Sequence, residues 1–406
     1  MIRERVIGTI PYQSGGISTI QIPRDSVFHS LQLSIMGGTF STVQGAGGTG
    51  PTLVPGFPFS LIRGIRVIRN GSDVVFQGSG EQLAKHCYEL NKSHPQARLY
   101  TTAANVESLR TAVVRTVTVP ANSQGIGENV GGFTVPNAPN DTGTVQFDMQ
   151  LDLWFQLGVD NGWATTLVDA RPLSSFDLEI TWAAEASQIA LAGVTNGAST
   201  AAGTLQLMSL DQDNVTAETN FGTFKRSSVQ YANIPYGSDN NQVILPRGNF
   251  FYAIQMQTRA YKAGSALNPV AENAVIGLIN NRINSNYYLR QVDFARLQAK
   301  NMADFGGRQN AFGSAQGSPQ GFATLNYVNA GQEFSELVTS YAMDQFDLQL
   351  STQPLAAAMN GPTTGGTNPV IDLLYQEVIP GVSKTGIGPQ GASAGSIAKT
   401  SAQPYR

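Results

Sequence analysis

The chain has 406 residues, with 41% hydrophobic and only 13% charged residues, 43 glycines, 20 prolines and a formal net charge of −3. Length alone points to two or three domains of ordinary size with a sizeable hydrophobic core. The low charge excludes a coiled coil or helical bundle, the near-neutral balance excludes nucleic-acid binding through a basic face, and the hydrophobic content excludes a disordered chain.

The first residues, MIRERVIGTIPY, carry charge early and lack an apolar core, so they read as a strand and not as a secretory signal. No window approaches the length of a membrane span. The single cysteine, Cys87, can form no internal disulfide and reads as a small buried hydrophobe made in a reducing cytoplasm. Ser26–Ile35 alternates, placing Val27, His29, Leu31, Leu33 and Ile35 on one face. A polar loop is expected over Gly37–Pro58. Ile65–Val75 reads as a hairpin turning at Asn70-Gly71. Gly80–Asn91 has Leu83, Cys87 and Leu90 at helical spacing, with Ser79 as N-cap. Ala104–Leu109 suggests one further turn, and Pro120–Asp141 a second long loop.

Val145–Leu157 alternates apolar and polar residues along its whole length and reads as a half-buried antiparallel strand. Phe176–Trp182, Phe250–Met256 and Phe346–Leu350 repeat that pattern. Val292–Phe305 predicts a second helix, closed by Gly306-Gly307. Polar loops are also expected over Ala183–Gly203, Gly306–Gly321 and Pro354–Pro369. The Gly/Ser-rich stretch 381–406 reads as an extended tail.

An internal repeat organises these elements. Residues 9–35 and 233–258 match through Ile10-Pro11-Tyr12 and Ile234-Pro235-Tyr236, Pro23-Arg24 and Pro246-Arg247, Phe28 and Phe251, and Gln32 and Gln255. The order continues: Asn70 and the Leu83 helix correspond to Asn284 and the Leu297 helix, and Phe176-Asp177-Leu178 to Phe346-Asp347-Leu348. Leu83 to Phe176 spans 93 residues and Leu297 to Phe346 spans 49, so the first copy carries about 44 more, which reads as loop decoration. About eight strand candidates and one helix per copy fit an eight-stranded jelly roll. The expected class is all-β, two consecutive jelly rolls: residues 1–205 the first, 206–380 the second, 381–406 the tail.

Motifs that suggest chemistry do so weakly. Gly45–Gly50 and Gly386–Gly391 match G-x-G-x-x-G, but neither opens a helix. Gly391–Gly395 matches a nucleophile elbow but lies in the tail, and the only histidines are His29, His86 and His94. Asp211-Gln212-Asp213-Asn214 begins like a calcium loop without its later ligands. The histidines have no zinc spacing, and His29 reads as a core or interface residue. Asp148 and Asp152 share one face of a strand and read as solvated, as do Asp177 and Glu179. Trp154, Trp163 and Trp182 read as packing residues more than as a sugar platform. No catalytic residue, cofactor or metal is expected. Arginine outnumbers lysine 18 to 7, and Arg63, Arg66 and Arg69 punctuate one strand region, which favours a protein that buries surface against its own copies.

This pattern resembles the double-jelly-roll major capsid proteins of tailless icosahedral double-stranded-DNA viruses, typified by the tectiviruses. The resemblance covers about residues 5–353. It rests on the duplicated order, on Ser26-Val27-Phe28 entering a long strand, on Phe59-Ser60-Leu61-Ile62-Arg63-Gly64-Ile65 before hairpin and helix, and on the strand pair ending each copy. It implies a non-enzymatic shell protein of a bacteriophage virion, made in the host cytoplasm. Homotrimers of it would form pseudo-hexagonal tiles over an internal membrane. Implied partners are the chain itself, neighbouring trimers, penton or minor capsid proteins and the viral membrane, with no sequence-specific nucleic acid. Relatives often begin with a helical arm, whereas here a strand-like segment begins almost at Met1. Membrane or interior contact is therefore assigned to Arg3, Arg5, Lys384, Lys399 and Arg406. A carbohydrate-binding or carbohydrate-active double jelly roll is the alternative, and it requires paired carboxylates and a tryptophan in one cleft.

Overall fold

The computed structural model describes residues 2–43, 52–54, 56–90, 96–101, 142–157, 166–191, 199–213, 222–231, 234–261, 269–284, 286–305, 321–328, 337–341, 343–355 and 368–379. The expected loop at Pro120–Asp141, the turn at Ala104–Leu109, both glycine-rich motifs, His94, Trp163 and the tail from 381 onward lie outside them.

Strands in chain order are β1 (Ile2–Pro11), β2 (Ile17–Gln21), β3 (Val27–Val43), β4 (Thr52–Leu53), β5 (Ile62–Arg69) and β6 (Asp73–Gly78). Helix α1 (Gly80–Leu90) precedes β7 (Gln96–Thr101), β8 (Thr142–Trp154), β9 (Val168–Asp169), β10 (Phe176–Trp182), β11 (Ile189–Leu191), β12 (Thr200–Ala202) and β13 (Thr204–Gln212). The second half contains β14 (Thr223–Tyr231), β15 (Asn241–Ile244), β16 (Phe250–Ala260), β17 (Val270–Ala271), β18 (Ile276–Ile283) and β19 (Asn286–Asp293). It ends with α2 (Phe294–Phe305), β20 (Phe322–Asn326), β21 (Val338–Thr339), β22 (Phe346–Thr352) and β23 (Val370–Ile379).

The two halves repeat one strand order. In the first, β1-β13-β3-β8 form one sheet and β2-β10-β5-β6 the other; in the second, β14-β23-β16-β20 and β15-β22-β18-β19 do the same. Each half is an eight-stranded, two-sheet jelly roll. The rolls are not separate bodies on a string. The edge strand β6 pairs in parallel with β14, Phe76 beside Arg226 and Gln77 beside Ser227, which fuses one sheet from each roll into a ten-stranded sheet.

The repeat extends to single hydrogen bonds. Arg24 donates to the carbonyls of Leu173 and Ser174 at 2.6 and 2.7 Å, and Arg247 to those of Met343 and Asp344 at 2.9 and 3.0 Å. Asn70 and Asn284 both sit at positive φ, 50° and 48°. Each accepts a backbone N–H on its Oδ1, from Ser174 and Asp344 respectively. Asparagine suits this place because its short amide tolerates the left-handed region and bonds locally. Asn70→Gly is therefore expected to cost only the amide contact, about 1 kcal/mol, and Asn70→Ala roughly 1–2 kcal/mol more through backbone strain; equal melting midpoints for the two variants would refute this.

A bulge is also duplicated. Register passes from Ser30 opposite Leu210 to Phe28 opposite Asp211, skipping His29. It passes from Ala253 opposite Gln376 to Phe251 opposite Glu377, skipping Tyr252. The bulge corrects the expected face for His29. The extra residue lets Phe28 join Leu31, Leu33 and Ile35 in the core, and His29 turns away to bond Gln212 at 3.0 Å.

Other expectations change too. β3 continues to Val43 where a loop was expected from Gly37. A register shift between Ile35 and Gly38 keeps it paired with β8, and a Cβ on Gly38 would lie 2.5 Å from the Phe147 ring. Ala183–Gly203 holds β11 and β12, and α2 starts at Phe294 because Val292 and Asp293 still pair with β18. β13, which crosses the expected 205/206 division, pairs along its length with β1 and β3 and so belongs to the first roll's sheet.

Each roll has its own core. Phe28, Phe40, Phe57, Phe147, Phe176 and Trp182 anchor the first; Phe251, Ile254, Tyr327, Phe346 and Tyr375 anchor the second. A third cluster, including Leu157, Phe224, Phe250, Tyr252 and Val378 with Trp154 against it, joins the two.

Candidate functional site

Side chains from both rolls converge at the seam along β6 and β14. Helix α1 begins with a reciprocal cap: Gln82 N–H donates to Ser79 Oγ at 3.2 Å, and Ser79 N–H to Gln82 Oε1 at 3.0 Å. The same Gln82 reaches across and donates to Ser228 Oγ at 2.9 Å. Gln257 donates to Glu81 at 2.8 Å, and Arg69 to Thr223 Oγ1 at 3.0 Å. Burial pushes the Glu81 carboxyl above its ordinary value.

Arg226 lies fully buried in this seam. Its guanidinium stands 5.0 Å from the Phe76 ring centroid and 4.6 Å from that of Phe224. One N–H donates to His86 Nε2 at 3.0 Å, so that nitrogen is the unprotonated one. Burial lowers Arg226 to about 9, which leaves it charged at neutral pH. Burial first and the Arg226 charge second hold His86 well below its ordinary value, so His86 stays neutral. The unfolded chain then takes this proton before the folded chain does. Stability is complete above about pH 6.5 and falls below it, by up to about 1.4 kcal/mol per pH unit. A denaturant series from pH 7.5 to 5.5 is expected to show this loss in the native chain and not in His86→Asn; equal slopes would refute it.

A second polar cluster ties down the start of the chain. Arg3 and Arg5 flank the buried Asp211, donating at 2.7 and 2.8 Å. They also meet Asp213 and Asp25 at the surface. The hydrogen bond from Arg5 draws the Asp25 carboxyl down to about 2. Of the five cations expected at a membrane or interior face, these two are partnered by three aspartates, and Lys384, Lys399 and Arg406 lie outside the described residues.

The residues that the carbohydrate reading needs are mostly buried or already partnered. Trp182 is buried in the first core, donating to Ser18 at 3.3 Å, and Trp154 packs at the seam. Asp148 accepts the Gly37 N–H at 2.7 Å. Asp152 was expected to be solvated but is 6% exposed, because the strand beneath it passes under α1, where Cys87 donates to the Asp152 carbonyl. Glu179 pairs with Arg66 at 3.0 Å and Arg69 with Asp73, so two of the three strand arginines have partners within the chain. Among the described residues no three metal-ligating side chains gather, and no helix is long and apolar enough to cross a membrane.

No protein-family model matches the sequence, and no curated protein does. Solved structures do. The MCP of STIV is matched over 93% of this chain and 97% of that one, at 13% identity and a TM-score of 0.58. A chain in the atomic structure of Sulfolobus Turreted Icosahedral Virus is matched over 98% and 96%, at 13% identity and 0.61. A chain of the PBCV-1 virus capsid is matched over 93% and 94%, at 10% identity and 0.52. Similarity from end to end at such low identity is similarity of fold, and the fold of this chain is the double jelly roll of viral major capsid proteins.

Proposed function

We propose that this chain is a structural shell protein, the major capsid protein of a tailless icosahedral virus, and that it carries no catalytic step. The observation that carries the reading is the fused pair of rolls matched over nearly the full length of both chains to a component of an icosahedral virus. Fusion through β6 and β14 gives one rigid tile with two equivalent lobes. Three such chains supply six lobes, a pseudo-hexagonal outline suited to tiling a shell, and closed symmetry makes the tile discrete. We assign the chain to a bacteriophage virion whose capsid lies over an internal membrane. Its partners are its own copies, neighbouring trimers and minor capsid proteins.

Native mass spectrometry of the purified chain, followed by imaging of assembled particles, tests this. A mass of three chains and a hexagonal outline are expected. A monomer at high concentration would overturn the reading.

A further inference from the structure

Beneath helix α1 the seam holds a charge that no carboxylate answers. Residues opposite one another on β14, β23 and β16 share a face of the sheet: Arg226 with Gln376, Gln376 with Ala253, and Gln255 two places beyond Ala253. Helix α1 covers that face, with His86 meeting Arg226, Gln82 meeting Ser228 and Glu81 meeting Gln257. Arg226, Gln376 and Gln255 are each at least 99% buried.

A guanidinium grips an anion best along the edge formed by Nε and Nη2, which presents two parallel N–H groups. Elsewhere in this chain that edge meets a carboxylate. Arg282 gives both atoms to Asp347 at 2.9 Å, and Arg171 gives both to Asp169 at 2.8 Å. Arg226 commits only Nη1, to His86; its Nε and Nη2 are buried and bond no protein group. The Nε2 of Gln376 and both amide atoms of Gln255 likewise bond none. Unpaired N–H groups here outnumber the unpaired acceptor, Gln255 Oε1. The carboxyls on this face are committed, Glu81 to Gln257 and Asp372 to Arg259. The rings of Phe76 and Phe224 attract the cation but offer its N–H groups no lone pair. Water would supply an acceptor without a charge, and a buried cation is held most firmly by a counter-charge.

We propose that the Nε–Nη2 edge of Arg226 and the amides of Gln376 and Gln255 form a buried site for one small monovalent anion of the halide class. One negative charge balances one cation. The sealed surroundings and the two aromatic rings favour a weakly hydrated halide over phosphate or sulfate. The donors belong to the second roll, and α1 and Phe76 of the first roll close over them, so the bound ion stabilises the joined rolls. The site lies within one chain and does not depend on the shell reading.

Bromide tests the site directly. Crystals of the full chain grown in sodium bromide are expected to show anomalous scattering within hydrogen-bond reach of Arg226 Nε and Nη2. Urea unfolding with chloride exchanged for gluconate at fixed ionic strength reads the energetics. Above the dissociation constant, each tenfold rise in chloride is expected to lower the unfolding equilibrium constant about tenfold, as one ion per chain requires. Gln376→Glu, which places a carboxylate opposite Arg226, and Arg226→Met, which removes the charge, are both expected to abolish that dependence. No bromide signal beside Arg226 in the native chain would overturn the proposal. A signal without any chloride dependence of unfolding would mark an adventitious ion only and overturn it as well.

Discussion

Replacing Asp211 by alanine is expected to destabilise the folded chain by about 1–3 kcal/mol, the cost of losing a buried acceptor shared by two arginines that keep only their outer aspartate partners. The carboxylate is fully buried (0% exposed) and accepts from Arg3 Nε, Arg5 Nη2 and Ser209 Oγ. Arg3 and Arg5 stand side by side on the edge strand β1, and Asp211 is the shared acceptor that lets both lie against the sheet. Asp25 and Asp213 are more exposed and cannot replace it. Asp211→Asn keeps the shape and one acceptor and is expected to cost less than Asp211→Ala. Urea denaturation of the three proteins checks the order; a loss below 1 kcal/mol for the alanine variant would mean that β1 is held by its backbone pairing alone.

Much of this architecture was legible in the sequence because period-2 alternation and duplication are local signals. The Asn70-Gly71 turn and the helix capped by Ser79 stand where the pattern placed them, and the strand expected over Val145–Leu157 runs from Thr142 to Trp154. The long-range features were not legible. Bulges at His29 and Tyr252 insert one residue and so invert the faces that simple alternation assigns. The buried state of Asp152 depends on a helix 65 positions away in the chain. β23 escaped notice for a related reason. It lies mid-sheet between the second core and the seam, so Val370–Ile379 is buried on both faces and does not alternate. The seam is invisible in the sequence, since nothing local distinguishes Arg226 from a surface arginine.

The repeat itself can be weighed with a matched pair of substitutions. Phe28 stacks edge-on against Phe176 in the first core, centroids 5.4 Å apart at 65°. Phe251 does the same against Phe346 in the second, 4.8 Å apart at 76°. All four rings are at least 98% buried. Phe28→Ala and Phe251→Ala are each expected to cost about 3–5 kcal/mol from lost burial and the cavity left behind. Some 0.5–1.5 kcal/mol of that cost belongs to the ring pair. Calorimetry of the two variants then asks how the rolls are coupled. The continuous ten-stranded sheet, the buried Arg226 between Phe76 and Phe224, and the third apolar cluster all cross between rolls. Unfolding either roll would expose that cation's surroundings and break the shared sheet. A single transition, shifted downward by either substitution, is therefore the expected result. Two transitions, each moved by only one variant, would show that the rolls fold as independent units and that the seam is an interface between domains.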